Sequence, residues 1–236
     1  MKILYIFPHP DDESFGPAPA MHAQKRAGHD IYLLTLTKGE ATKQRFRLGV
    51  SKKEMGEIRF KEMQCVEKVL GLKGMTVLDL PDGELKKMDP HEIEKAVKSE
   101  IDRVKPDIVV TYAVHGISGF HDHLVTHAVV KCVFCEYKKE GKSYPRRLAF
   151  YTRQGEVYTK GAFRLEASAE DEIKFTEVCS EEDMKKFHQA LDCYESYQEV
   201  IEKSKVRDVV SNEVPFEVFG EEIDYKDPLK SLDDRL

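Results

Sequence analysis

Four short apolar runs, each followed by a segment with helical punctuation or periodicity, constrain this 236-residue chain more than any other feature. The runs are Lys2 to Phe7, Ile31 to Leu36, Met75 to Leu80 and Ile108 to Ala113. Runs of this length bounded by turn residues read as strands, and the second is apolar enough to be buried on both faces, as in a parallel sheet. The first intervening helix takes Pro17 and Pro19 into its opening turn, where a missing amide proton is harmless, and runs to about Arg26, with Gly28 as its stop. Ser51-x-x-Glu54 is a capping box opening a helix to about Leu70. Asp89 caps a third helix, with Pro90 in its first turn and Ile93, Val97, Ile101 and Val104 as its buried stripe.

The β-α-β-α-β-α-β alternation predicts a Rossmann-like α/β fold: a mostly parallel sheet, right-handed crossovers and helices on both faces. In the usual 3-2-1-4 order, strands one and four are neighbours across the topological switch point, where such sheets bind ligands. Further on, Leu124 to about Tyr137 reads as an apolar helix, Leu148 to Tyr151 as a fifth strand and Ile173 to Val178 as a sixth. The segment Arg153 to Asp171 reads as a hairpin or a lid. A helix is expected from Ser180 to about Lys203, and a tail carrying Phe216, Val218 and Phe219 is expected to dock on the body. No repeat, low-complexity tract or linker composition interrupts the chain, so residues 1–236 are expected to form a single domain. The motif-bearing core covers about 1–140, and 141–236 is less defined.

With 34% charged residues and a net charge of −6, the chain has no basic field to attract a polyanion, so nucleic acid is not an expected partner. No apolar run approaches the ~18 residues of a membrane span, and the first run is too short for a signal peptide, so a cytoplasmic location is expected. The composition is compatible with a homo-oligomer. Five cysteines, scattered from Cys65 to Cys193, read as buried thiols rather than a disulfide framework, and Cys132 and Cys135 as structural residues of an apolar helix.

Chemistry concentrates in two loops that the strand order makes neighbours. Strand one runs into Pro8-His9-Pro10-Asp11-Asp12-Glu13, and strand four is followed by a glycine-flexible, histidine-rich stretch from Val114 to His123. A catalytic zinc takes three ligands from histidine and carboxylate side chains and keeps a fourth position open. His9 and Asp12, three residues apart on a tight loop, can converge on one ion, with His123 arriving from the neighbouring strand. Asp11 must point elsewhere, where it can serve as a general base. His127, one helical turn beyond His123, reads as a packing residue, with a second metal ligand or a supporting residue as the alternative. The polar, basic loop from Thr37 to about Val50 is long enough to carry function. A dinucleotide-dependent oxidoreductase is disfavoured because no G-x-G-x-x-G follows strand one, and a paired-carboxylate glycosidase would leave the histidine loop unexplained.

The stretch Phe7-Pro8-His9-Pro10-Asp11-Asp12-Glu13 resembles the (A/P)-H-P-D-D-E signature of the LmbE-like (PIG-L) family of zinc-dependent N-acetylglucosaminyl deacetylases. The likeness extends to Leu36-Thr37-Lys38-Gly39-Glu40, to Gly56 through Glu62, to Leu80-Pro81-Asp82-Gly83 and to Gly116 through His123, in the family's order over roughly 130 residues. The resemblance implies Zn2+, with Fe2+ suited to the same donors, held by His9, Asp12 and His123. It also implies Asp11 as base, Arg59 as a substrate-holding residue, Glu13 as an orienting residue and Glu40 as a brace. The family has a histidine three residues before the third ligand, and here that slot holds Phe120. His121, the next residue, is the candidate to take over its role as oxyanion donor or acid. The expected activity is removal of an N-acetyl group from a small amino sugar or its conjugate; the alternative is a metal- or sugar-binding homologue with weak or no turnover.

Overall fold

The computed structural model describes residues 1–160, 163–221 and 232. The expected single-domain span also includes 161–162, 222–231 and 233–236, which lie outside the described residues. The four apolar runs form β1 (Lys2–Phe7), β2 (Asp30–Thr37), β3 (Gly74–Leu80) and β4 (Ile108–Tyr112), all parallel and in the order 3-2-1-4. Between them lie α1 (Ala18–Arg26), the short α2 (Gln44–Leu48) within the basic loop, α3 (Lys52–Leu70) and α4 (Pro90–Val104). Next come α5 (His121–Lys139), starting three residues earlier than its apolar stretch suggests, and β5 (Arg147–Tyr151), parallel to β4.

β1 is central and buried on both faces, as its sequence predicts. Ile3, Tyr5 and Phe7 point into one cluster with residues of α1 and α3, and Leu4 and Ile6 into another with residues of α4 and α5. Side chains of this size contribute about 1.5–3 kcal/mol each when fully buried. Because Tyr5 pairs with Val110, β1 and β4 deliver their following loops side by side at one edge of the sheet.

Past β5 the segment Arg153 to Asp171 contains a hairpin of β6 (Tyr158–Lys160) and β7 (Phe163–Leu165). β8 (Phe175–Val178) begins two residues later than expected. The expected long helix from Ser180 to Lys203 is instead α6 (Glu181–Asp192), a 3-10 turn at Glu195–Tyr197, α7 (Gln198–Ser204) and then α8 (Val206–Val209). The break has a local cause: Tyr194 leaves helical geometry at φ −86 and ψ 65 and is fully buried, while the amide and hydroxyl of Ser196 both donate to Glu62 of α3. The expected docking tail is a strand, β9 (Glu213–Val218), inserted antiparallel between β5 and β8 with Val214, Phe216 and Val218 buried. Pro215 argues against an interior strand. It stands where the ladder with β5 runs out: past the Tyr151–Phe216 pair the Thr152 amide donates to the Pro215 carbonyl at 3.2 Å, and the return bond that a proline cannot donate is the one given up.

The expectation of buried free thiols is corrected. Cys65 of α3 and Cys193, the residue capping α6, form a disulfide across 128 residues of sequence, which only the packing of α3 on α6 brings together. Cys132 and Cys135 are exposed, because they occupy the outer side of α5, and only Cys179 is a buried free thiol.

One buried charge cluster ties α1 to α6. Asp183 forms the capping box with Ser180, accepts from Arg26 and lies 2.6 Å from His22 Nδ1. Burial pushes its carboxyl up, but the hydrogen bonds from Arg26, Ser180 and His22 outweigh that and hold it well below the usual carboxylate range. A carboxylate depressed on folding stabilises above its ordinary value near ~4 and loses that contribution as pH falls below it. Asp183→Asn is therefore expected to cost about 3 kcal/mol at neutral pH, with the deficit shrinking below pH ~4, measurable by denaturant titration across pH.

Candidate metal centre

Pro8 ends β1, and its carbonyl accepts from both the amide and the hydroxyl of Thr37, each at 2.9 Å, so the acidic loop starts anchored to β2. Asp11 then takes φ +82, in the left-handed region that side chains resist. Its conformation is over-determined. Its carbonyl accepts from the amides of Ser14 and Phe15, and its own amide donates to Tyr194 Oη at 2.8 Å. That hydroxyl donates in turn to the fully buried Glu13, which gives Glu13 the orienting place that the resemblance implies. The consequence is that Asp11 and Asp12, adjacent in sequence, face different partners.

Asp12 faces two imidazoles. Its Oδ2 lies 3.4 Å from His9 Nδ1 and its Oδ1 lies 3.3 Å from His123 Nε2, and donors from all three residues fall within 4.8 Å of one another. Ligands at ~2.0–2.1 Å around a tetrahedral ion stand roughly 3.3 Å apart, so the spacing suits one small divalent cation. The surroundings fix the donors. His123 Nδ1 donates to the Gly116 carbonyl at 2.9 Å, which turns the Nε2 lone pair inward, and its ring stacks on Tyr112 at 4.4 Å. Tyr112 Oη and the amide of His9 both donate to Asp12, at 2.8 Å each. Metal-binding histidines and carboxylates are usually oriented in this way.

A second cluster, His9 with Asp82 and Asp122, uses the other nitrogen of His9, Nε2, 3.3 Å from each carboxylate. Those carboxylates already accept backbone amides: Asp82 from Ala41, and Asp122 from Gly83 and Leu85. They are suited to orienting His9 rather than to holding an ion. Burial opposes protonation of His9, but the carboxylates of Asp12, Asp122 and Asp82 outweigh it and hold the imidazole well above its ordinary range. Asp12 is correspondingly depressed: burial raises it, and His123 and His9 more than reverse that. A divalent cation would replace these protons as the balancing charge.

Asp11 has the opposite balance. Burial pushes its carboxyl up to about 7, against the attraction of Arg59 and with the help of Asp12 and Glu13. Arg59 is 2% exposed, and its guanidinium donates to Asp11 Oδ2 at 2.6 Å and to the Pro10 carbonyl at 2.7 Å, resting on Tyr197 at 4.4 Å. The common helix-surface pairing of Arg59 with Glu54 or Glu62 does not occur, since Glu54 closes the α3 capping box and Glu62 is taken by Ser196. Gly39 is required for this packing: at φ +64, a Cβ there would come 2.7 Å from the guanidinium. Glu40 accepts from the Asp82 amide at 3.1 Å, bracing the second carboxylate layer.

The remaining candidates stand apart from the cluster. His121 is exposed at the start of α5, with Nδ1 3.3 Å from Lys86 Nζ, and joins neither donor group. Phe120 is 61% exposed and meets His123 edge-on at 5.6 Å. His127 is buried, bonded to the Tyr112 carbonyl at 2.8 Å and packed on Phe150, which is the packing reading. Sequence reasoning assigned no role to Asp82, Asp122, Tyr112 or Tyr194. Asp82 and Asp122 stood inside quoted motifs and could have been suspected, whereas Tyr194 comes from a segment with no signal.

A deacetylase of 1D-myo-inositol 2-acetamido-2-deoxy-alpha-D-glucopyranoside from Kineococcus radiotolerans is 28% identical over 160 residues, covering 53% of this chain and 42% of that protein. The chain spans about half the length of the curated relatives it matches. Among solved structures, N,N'-diacetylchitobiose deacetylase from Pyrococcus horikoshii superposes with a TM-score of 0.65 at 16% identity, covering 92% of this chain and 83% of that one. The 4-carboxy-2-hydroxymuconate hydratase of Pseudomonas putida superposes with 0.67 at 13% identity, covering 94% and 98%. At these identities the likeness is one of fold. The family described as GlcNAc-PI de-N-acetylase (PIG-L) matches residues 4–134, more than half of the chain and the whole of both loops, and the chain belongs to that family.

Proposed function

We propose that the chain is a zinc-dependent hydrolase that removes the N-acetyl group from an N-acetylglucosamine-type amino sugar or its conjugate. The observation that carries the reading is the separation of two adjacent aspartates, Asp12 turned to a pair of histidines and Asp11 to Arg59. A divalent cation among His9, Asp12 and His123 supplies Lewis acidity toward a carbonyl oxygen and toward water. Asp11 takes the proton of the attacking water. Arg59 occupies its Oδ2, leaving Oδ1 for that task, and a carboxyl raised to about 7 is a competent base near neutrality. The proton returns from Asp11 to the departing amine. Arg59 serves the substrate through Asp11, and Asp82 and Asp122 hold His9 in the tautomer with its proton on Nε2.

His121 is the proposed second donor. His121→Ala is expected to slow turnover by up to about 100-fold with metal content unchanged; an unchanged rate removes the residue from the reaction. One observation favours a second reading, a binding homologue with weak turnover: exposed Phe120 fills the slot where the family carries an imidazole. A primary-amine release assay with N-acetylglucosamine, its glycosides and its conjugates decides. Amine release supports the deacetylase; zinc uptake without release from any of them supports the binding protein. Among the described residues no helix is long and apolar enough to cross a membrane.

A further inference from the structure

A chain of hydrogen bonds runs from β9 into the loop that leads to His123 in the first turn of α5, and the proposed reaction makes no use of it. Between β4 and α5, Gly116 and Ile117 lie consecutively in the left-handed region, at φ +61 and +58. Glycine adopts this freely, and the space demands it, since a Cβ on Gly116 would stand 2.8 Å from the Cβ of His123. Ile117 is β-branched and buried, and for such a residue the conformation is strained and persists only where the surroundings enforce it.

The enforcing contacts fall on its backbone. The Ile117 amide donates to His115 Nδ1 at 3.0 Å, and its carbonyl accepts from the Glu166 amide at 2.7 Å. The carbonyl of Gly116 and the amide of Ile117 are the two ends of one planar peptide group. His115 holds the N–H end, and the C=O end receives the Nδ1 proton of His123. Fixing one end of a rigid plane fixes the direction of the other.

His115 is itself held. Because its Nδ1 accepts, its proton sits on Nε2, which lies 3.2 Å from Ser168 Oγ and 3.3 Å from Thr152 Oγ1. Ser168 donates onward to Glu217 of β9. Ser168 and Thr152 in the middle of the relay are buried, and His115 and Glu217 at its ends are half-buried. Burial keeps the His115 imidazole below its ordinary range, with Arg153 acting in the same direction and Glu166 and Glu172 against it, which favours the neutral form that an accepting Nδ1 requires.

We propose that His115, locked by Ser168 and Glu217, is a positioning residue for the metal centre, setting the ring of His123 through the Gly116–Ile117 peptide plane. The inference rests on the metal reading. The test is zinc affinity of the full chain, measured by competition with a chromophoric chelator beside a thermal melt. His115→Ala is expected to weaken affinity by about 10–100-fold. His115→Asn, whose Oδ1 can accept an amide two residues on, is expected to stay close to wild type. A merely structural loss would lower both melting temperatures without separating the two affinities. Wild-type affinity in His115→Ala, or equal loss in His115→Asn, overturns the proposal. If His115→Ala does not fold, Ser168→Ala takes its place with an expected loss of about tenfold, and an unchanged value overturns the proposal. A wild-type chain that takes up no zinc overturns the metal reading and this inference with it; tight zinc in wild type with unmoved variants overturns this inference alone.

Discussion

Asp11→Asn is expected to lower kcat by about 10²–10⁴-fold while the chain keeps its zinc. The substitution preserves shape, and the amide oxygen can still accept from Arg59, which also keeps the Pro10 carbonyl. What is lost is the capacity to take a proton. The same carboxyl gives the wild-type pH profile its acid limb. A base raised to about 7 is protonated below that value, so kcat/KM is expected to fall as pH drops through 7, with the limb moved to lower pH by a cation bound beside Asp12. Asp11→Asn should remove this limb from the residual rate. Wild-type turnover in the variant, or an unchanged acid limb, would show that another group activates the water.

His123→Ala should separate from this variant by losing the metal itself. Only His9 and Asp12 would remain of the three donors, and Asp12 would lose the imidazole that balances its charge. Removing an orienting neighbour of a metal ligand typically costs 10–100-fold in affinity, so loss of the ligand is expected to cost more than ~100-fold, with turnover falling in step. Metal content by mass spectrometry and affinity by chelator competition check it. One zinc per chain at wild-type affinity would move the site to the cluster of His9, Asp82 and Asp122.

Much of this arrangement was legible in the sequence, for identifiable reasons. The strand order followed from alternation, and once β1 and β4 were neighbours, His9 and Asp12 had to meet the segment after β4 that bears His123. Local rules served where the causes were local, as in the capping box at Ser51 and the prolines opening α1. They failed where tertiary contacts dominated. No spacing rule reveals that Cys65 meets Cys193, that Tyr194 breaks a helix to reach Asp11 and Glu13, or that a tail interrupted by Pro215 completes the sheet. Arg59 shows the same limit: from sequence it was a choice between a substrate contact and a surface ion pair, and in the fold it is the buried partner of the base.

The roles of Asp11, Arg59 and His115 all depend on one ion in one place. Diffraction data collected on either side of the zinc absorption edge from crystals of the zinc-loaded chain locate it directly. The expected result is a single anomalous peak about 2.0–2.2 Å from His9 Nδ1, a carboxylate oxygen of Asp12 and His123 Nε2. A peak beside His9 Nε2, between Asp82 and Asp122, or no peak near His9, would contradict it.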